Sequence, residues 1–338
     1  MKIIRHAAYA RAGLMGNPSD GYGGRSLSFT FTNFRSTVVL YEWDRVEIVW
    51  SQQDKGSFAT VEELIADVEL NGYYGGVRLV KATIKLFVEY CRAQSIALHD
   101  QPFSVRYDTD VPRGVGLSGS SAIVTATLRC LMEFYGVQIP QRVQPSLVRS
   151  VENDELNIAC GLQDRVVQVY GGLVAMDFGP QAMEVIRGFE CGLYEHVDAA
   201  LLPPLYIAYD LQAAKISSTV HTPLRVRVQQ EPRLREILVE IAGLVPQACD
   251  ALRARDREWL HALINRNFDL RTQLYTIPER QLAMIRTARS TGASAKFAGS
   301  GGAIVGSYRD EAMYEDLRRA LTQAGDWRIL KPNLGPEH

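Results

Sequence analysis

Between Pro112 and Ala122 the chain reads Pro-Arg-Gly-Val-Gly-Leu-Ser-Gly-Ser-Ser-Ala, with three glycines and three serines in the eight residues from Gly114 to Ser121. A helix is expected immediately after it, over Ser120–Tyr135: Ile123, Val124, Leu128, Leu131 and Tyr135 form one apolar stripe, and Gly136 ends the pattern. Glycine lets backbone approach a bulky ligand with no Cβ in the way. The first turn of a helix offers unpaired N–H groups and the positive end of the macrodipole. Gly114, Gly116, Ser118, Gly119, Ser120 and Ser121 therefore make a candidate cradle for a triphosphate, and a serine hydroxyl there suits Mg²⁺. No Lys precedes the serines, which excludes a Walker A loop, and the second glycine comes one residue too early for a nucleophile elbow. The plain alternative is a flexible loop closed by a serine N-cap.

The rest of the composition is that of an ordinary folded chain. Of 338 residues, 46% are hydrophobic, and a net charge of -1 offers no bulk attraction for nucleic acid or an anionic membrane. Five isolated cysteines (Cys91, Cys130, Cys160, Cys191, Cys249) form no metal or disulfide pattern, so reduced thiols in a cytoplasmic protein are expected. The opening Met-Lys-Ile-Ile-Arg-His lacks the apolar core of a signal peptide, and no stretch approaches the roughly 18 apolar residues of a membrane span.

The element pattern is α+β. Strands are expected at Ser26–Phe34, Ser36–Trp43, Arg45–Ser51, Phe103–Tyr107 and Leu173–Phe178, with helices at Thr60–Val68, Gly76–Ala93, Pro145–Asn157 and Gln163–Tyr170. Gly13 to Gly24 reads as a turn-rich loop. After a change in composition near 190–204 come a strand at Leu205–Asp210, a long helical stretch from Arg233 to Tyr275 broken or kinked at Pro246, and a helix at Glu279–Ser290. Short strands at Ala295–Phe297 and Ala303–Tyr308, a helix over Glu311–Gln323 and a closing strand at Trp327–Lys331 follow. The second half thus reads as helices packed on one face of a mainly antiparallel sheet. Two domains are expected, over residues 1–195 and 196–338.

A second glycine cluster, Ala298-Gly299-Ser300-Gly301-Gly302, lies between two of those short strands and is led by Lys296; alone it reads as a hairpin turn. Two carboxylates stand on helical segments after the first loop. Glu152 lies in Ser150-Val151-Glu152-Asn153 and Asp164 in Gly161-Leu162-Gln163-Asp164. Phosphoryl transfer needs one carboxylate on the cation and another near the attacking hydroxyl. By spacing alone both remain open to plainer readings, as a solvated helix face and as a helix-terminal Asp.

Three segments in this order resemble the GHMP kinases: Arg11 to Gly24, Pro112 to Ala122, and Lys296 to Gly306. The resemblance implies a two-domain α+β fold, with a ribosomal-S5-like N-terminal domain, a ferredoxin-like C-terminal domain, and ATP and sugar at their junction. Within the family the likeness is to the glucuronokinases. It rests on Gly16-Asn17-Pro18-Ser19-Asp20, Asn71-Gly72-Tyr73-Tyr74-Gly75-Gly76-Val77-Arg78-Leu79, Tyr107-Asp108-Thr109-Asp110-Val111-Pro112 and Gly161-Leu162-Gln163-Asp164-Arg165-Val166. Galactokinases carry Gly-Glu-His-Thr-Asp where this chain has Gly16–Asp20, which argues against galactose.

Carried over residue by residue, the resemblance implies Ser121 and Glu152 as Mg²⁺ partners and Asp164 as the acceptor or orienter of the sugar hydroxyl proton, with Arg11 holding it ionised. Asn17, Asp20, Gly299 and Ser300 fall on the sugar side. A uronate needs a cation for its carboxylate. Arg25 ranks first for that task and Arg78 second, ahead of Arg113 and Arg165. The implied activity is an ATP- and Mg²⁺-dependent sugar 1-kinase with D-glucuronate as acceptor. The alternatives are a kinase of another sugar such as a heptose phosphate, a non-catalytic ligand sensor, and the decarboxylase branch of the fold. The sequence leaves the oligomeric state open.

Overall fold

A computed structural model describes residues 2–49, 75–212, 221–325 and 327–334. The chain opens with a long antiparallel pair, β1 (Ile3–Met15) and β2 (Arg25–Glu42). The register runs from Ile3 opposite Tyr41 to Met15 opposite Leu27, with a slip that leaves Tyr9 opposite Arg35 and Ala10 opposite Phe31. The expected strands at Ser26–Phe34 and Ser36–Trp43 are therefore one strand. The interrupted alternation between them is a bulge, which leaves extra residues of β2 unpaired with β1.

On its other edge β2 pairs with β4 (Phe103–Thr109) and then with β5 (Leu173–Asp177). β3 (Glu47–Val49), running parallel to β4, and β8 (Leu193–Val197), antiparallel to β5, complete a six-stranded sheet. A small hairpin of β6 (Glu184–Ile186) and β7 (Phe189–Cys191) stands apart. The strand at Ile3–Met15 is missing from the sequence reading. Its run of alanines carries little β propensity, and Gly13 to Met15, read as loop, belongs to it.

Helices α1 (Val77–Ala93), α2 (Gly119–Tyr135) and α3 (Gln144–Ser150) pack with this sheet around Ile4, Val38, Leu40, Phe87, Val105 and Leu131. The helix expected over Pro145–Asn157 changes character at Val151. Residues Val151–Glu155 form a π turn, and the wider turn carries Glu152. α4 (Gln163–Tyr170) follows as expected. The helix expected at Thr60–Val68 lies outside the described residues.

The second sheet begins at β9 (Leu205–Tyr209) and has the order β10 (Lys296–Phe297), β11 (Ala303–Ser307), β9, β12 (Arg328–Leu330), with every neighbour antiparallel. Between β9 and β10 run α5 (His221–Gln230), α6 (Pro232–Arg253), α7 (Arg257–Arg271) and α8 (Glu279–Ser290); α9 (Glu311–Gly325) joins β11 to β12. This is the β-α-β-β-α-β plan of a ferredoxin-like domain. Pro246 does not break its helix, which continues to Arg253. The break comes at Arg255, with φ of 53°, and Asp256, whose side chain accepts from Trp259 N at 2.9 Å and caps α7. α6 and α7 also cover the first sheet. Leu14, Phe29 and Phe31 share one core with Ile207, Ile237, Ile241 and Ile264. That shared core brings the end of β1 against β10.

Candidate active site

The glycine-serine loop ends at Ser118, which enters α2 with a left-handed φ of 65° and no side-chain cap bond. Its hydroxyl instead donates to Asp164 Oδ2 at 2.7 Å. This excludes the plain serine N-cap. The first intrahelical bond runs from Ala122 N to Ser118 O at 3.2 Å, so the N–H groups of Gly119, Ser120 and Ser121 have no acceptor within the helix. The N-terminal end of α2 and Asp164 thus share one residue, although 46 positions separate Ser118 from Asp164.

Arg11, on β1, reaches across the sheet end. Its Nε donates to Asp164 Oδ1 at 2.6 Å, and one terminal nitrogen donates to Gly116 O at 2.8 Å and Ala298 O at 2.9 Å. One guanidinium therefore touches the Asp164 carboxylate and both glycine loops. Those loops also pack directly on each other. A Cβ on Gly116, with φ of +75°, would lie 2.6 Å from Gly301 O. Burial alone would push the Asp164 carboxyl up. The charges of Arg11 and Arg165, with hydrogen bonds from Arg11 and Ser118, outweigh burial and hold it well below the usual carboxylate range.

Glu152 is fully buried. Ser120 donates to its Oε1 at 2.7 Å, and Arg165 Nε donates to Oε2 at 2.8 Å. Of the two serines, Ser121 makes no hydrogen bond to Glu152. The Ser121 hydroxyl is buried and turns back to Ser118 O at 3.3 Å, while Ser120 is the serine that faces the carboxylate. Consecutive helical residues point about 100° apart, so only one of the two can face Glu152. Arg165 also donates to Asp164 Oδ2 at 3.3 Å and so bridges the two carboxylates.

On the opposite side stands Asp20, beside the segment leading into Asp164; a Cβ on Gly161 would lie 2.8 Å from Asp20 Oδ2. Burial, and then the nearby Asp164 charge, push the Asp20 carboxyl up to about 6. Asn17 donates to Gly299 O at 3.3 Å, which places it against the C-terminal loop together with Ser300. Arg25 is not brought into this cluster. It is half exposed and paired with Asp177 at 2.6 Å across β2 and β5. Gly114 sits in the loop with φ of 70°, and Arg113 beside it is exposed.

Residues 78–172 match the family model "GHMP kinases N terminal domain" and residues 248–326 the model "GHMP kinases C terminal". A protein described as probable glucuronokinase 2 of Arabidopsis thaliana is 43% identical over 311 residues, covering 90% of this chain and 84% of the relative. Glucuronokinase 1 of the same plant is 40% identical over 329 residues, covering 94% and 90%. The chain is a GHMP kinase. Its fold superposes on a Lactococcus lactis galactokinase solved with galactose, with a TM-score of 0.75 at 15% identity over 99% of this chain and 94% of the other.

Two residues of this cluster, Asn267 and Arg271, are missing from the sequence reading, and a third, Arg165, takes a place other than the one it suggested. Arg165, ranked behind Arg25 and Arg78 for the sugar carboxylate, turns instead onto Glu152 and Asp164. Asn267 accepts from Gly16 N at 2.8 Å and donates to Asn17 O at 3.1 Å. Arg271 donates to Gly299 O at 2.8 Å. The signal for the last two was present in the pattern. Leu260, Ile264, Asn267 and Arg271 continue one buried stripe of α7, and a polar or charged residue on such a stripe calls for a partner. Among the described residues no helix is long and apolar enough to cross a membrane.

Proposed function

We propose that this GHMP kinase transfers the terminal phosphoryl group of ATP to the anomeric hydroxyl of D-glucuronate, giving D-glucuronate 1-phosphate and ADP. The observation that carries the reading is the double role of Ser118, which opens α2 at its anion-binding end and hydrogen-bonds Asp164 at 2.7 Å. The kinship to glucuronokinases at 40–43% identity supports the choice of sugar.

Phosphoryl transfer is mostly positioning and charge stabilisation. The first-turn N–H groups of α2 and the glycines before it receive the phosphates. The sugar oxygen forms the new O–P bond as the bond to the ADP oxygen breaks, and its proton leaves toward Asp164. Asp164 is held ionised by Arg11, so it orients the hydroxyl strongly and attracts the proton late, as charge leaves the sugar oxygen. Asp20 and Asn17 contact sugar hydroxyls, with Gly299 and Ser300 closing that side. In this reading residues 1–195 handle ATP and the acceptor carboxylate, and residues 196–338 contribute the second glycine loop.

The donor set fits Mg²⁺, a hard cation that takes one or two carboxylates and completes its shell with water and phosphate oxygens. Ser120 and Glu152 present a hydroxyl and a carboxylate in mutual contact at 2.7 Å, and they would hold the ion. When bound, the ion neutralises charge on the phosphate oxygens. Phosphorus NMR of the product of D-glucuronate and ATP tests the reading. A sugar phosphate whose phosphorus couples to the anomeric proton is expected. A phosphate on another carbon, or none, overturns it.

A further inference from the structure

The buried charge on the sugar side does not cancel. Lys296 and Arg271 are each 1% exposed, and among the described residues neither forms an ion pair. Lys296 Nζ lies 2.6 Å from Gly13 O, 2.5 Å from Asn17 Oδ1 and 2.9 Å from Phe297 O. Burial, and then the charges of Arg271 and Arg11, push the Lys296 ammonium well down from the ordinary lysine range. Three oxygen acceptors oppose that push, because they match the three N–H groups of an ammonium, whereas a neutral amine has only two to give. Arg271 grips Gly299 O at 2.8 Å and Ser300 O at 3.3 Å, hydrogen-bonds the Tyr275 hydroxyl, and stacks 5.0 Å from the Phe297 ring centre.

Arg11 is the third buried cation, and Asp164 answers it directly. Arg165 and Glu152 answer each other. Among the described residues, Asp20 is the carboxylate that answers Lys296 and Arg271, and it is close enough for both charges to act on it. With Lys296 held as an ammonium by its three acceptors, the sugar side carries one positive charge in excess even with Asp20 ionised. An uncompensated buried charge is strongly unfavourable, and a ligand that brings the counter-charge relieves it.

We propose that Lys296 and Arg271 are positioning residues that set the preference for a sugar bearing a carboxylate, by holding Asn17, Gly299 and Ser300 around it and by leaving the sugar side one negative charge short of neutral. Neither side chain is exposed enough to touch the sugar. They act through the groups they hold and through their charge. The inference rests on the reading of the enzyme as a glucuronate kinase and names the source of its selectivity.

The test compares D-glucuronate with D-glucose for the wild type, Lys296→Met, Arg271→Met and Lys296→Arg. Each Met variant should lose at least about tenfold in the ratio of kcat/KM for glucuronate over glucose, the size of one lost charged interaction. KM for ATP should stay within about twofold, because ATP sits at α2, and Lys296→Arg should keep most of the ratio. Equal losses for both sugars, or an unchanged ratio, overturn the proposal. A measurement on the wild type needs no variant to fold. D-glucuronamide, which has nearly the shape of glucuronate without its charge, should bind at least about tenfold more weakly in calorimetry, and equal binding overturns the proposal. A wild type that does not prefer glucuronate over glucose overturns the functional reading itself. A wild-type preference that survives both Met substitutions overturns only the role of Lys296 and Arg271.

Discussion

Asp20→Asn should make this protein more stable and a poorer kinase. Burial and the neighbouring Asp164 displace the Asp20 carboxyl from 3.8 to about 6. Full burial would set that displacement at roughly 3 kcal/mol against the ionised form at neutral pH. That displacement is already net of the attraction of Arg11 and Arg271, so the desolvation of the carboxylate outweighs the charge it offsets. Asp20 is only partly buried, so a gain of about 1–2 kcal/mol is expected on replacing it with a neutral amide of the same shape. The sign follows from proton binding. Between pH 3.8 and about 6 the folded protein holds a proton that the unfolded chain has released, so this group makes wild-type stability fall as pH rises through that window. Below the window both states are protonated and the variant gains nothing. Above about 6 the gain is complete. Thermal melts of both proteins at pH 4, 5, 6, 7 and 8 read the difference directly. The variant should also lose about 1.5–3 kcal/mol in kcat/KM for glucuronate, because the charged acceptor for sugar hydroxyls is gone. A variant less stable than wild type at pH 7, or a stability difference that does not change with pH, refutes the reasoning.

Asp164→Asn should lower kcat by about two to four orders of magnitude with ATP binding nearly intact, whereas a merely helix-terminal Asp would change stability by about 1 kcal/mol and leave the rate alone. Ser120→Ala and Glu152→Gln should each raise the Mg²⁺ concentration at half-maximal rate, with Ser121→Ala as the control that does not; a shift in Ser121→Ala alone would show that the hydroxyl contact at 2.7 Å is not the one that matters. Gly116→Ala should destabilise the protein by about 1–3 kcal/mol, measured by denaturant unfolding, because its left-handed backbone is strained for alanine and the new methyl meets Gly301 O at 2.6 Å.

The parts of the site written in one stretch of sequence were legible. The loop from Gly114 to Ser121 is dense in glycine and serine and abuts a strongly patterned helix, so its chemistry can be read locally. The contact of Arg11 with Asp164 could be expected only from a family resemblance, because 153 positions separate the two. The choice between Ser120 and Ser121 was not legible at all. It depends on the left-handed entry of Ser118 and on the π turn that presents Glu152, and neither has a composition signature. The same holds for Arg25, whose partner Asp177 lies on a strand 152 positions away. Secondary structure failed where propensity and context disagree. The alanine-rich β1 is held by its neighbours on both faces rather than by its own residues, and Pro246 is tolerated within α6 while the cap at Asp256 ends the run.

Whether this GHMP kinase phosphorylates a sugar carrying a carboxylate is decided by ADP release from the wild-type protein with ATP and Mg²⁺ across D-glucuronate, D-galacturonate, D-glucose, D-galactose and a heptose phosphate. D-glucuronate should give the highest kcat/KM, with neutral hexoses at least about tenfold lower, as expected for one charged interaction made only by the uronate. A kcat/KM for glucose or the heptose phosphate equal to or above that for glucuronate would contradict that expectation.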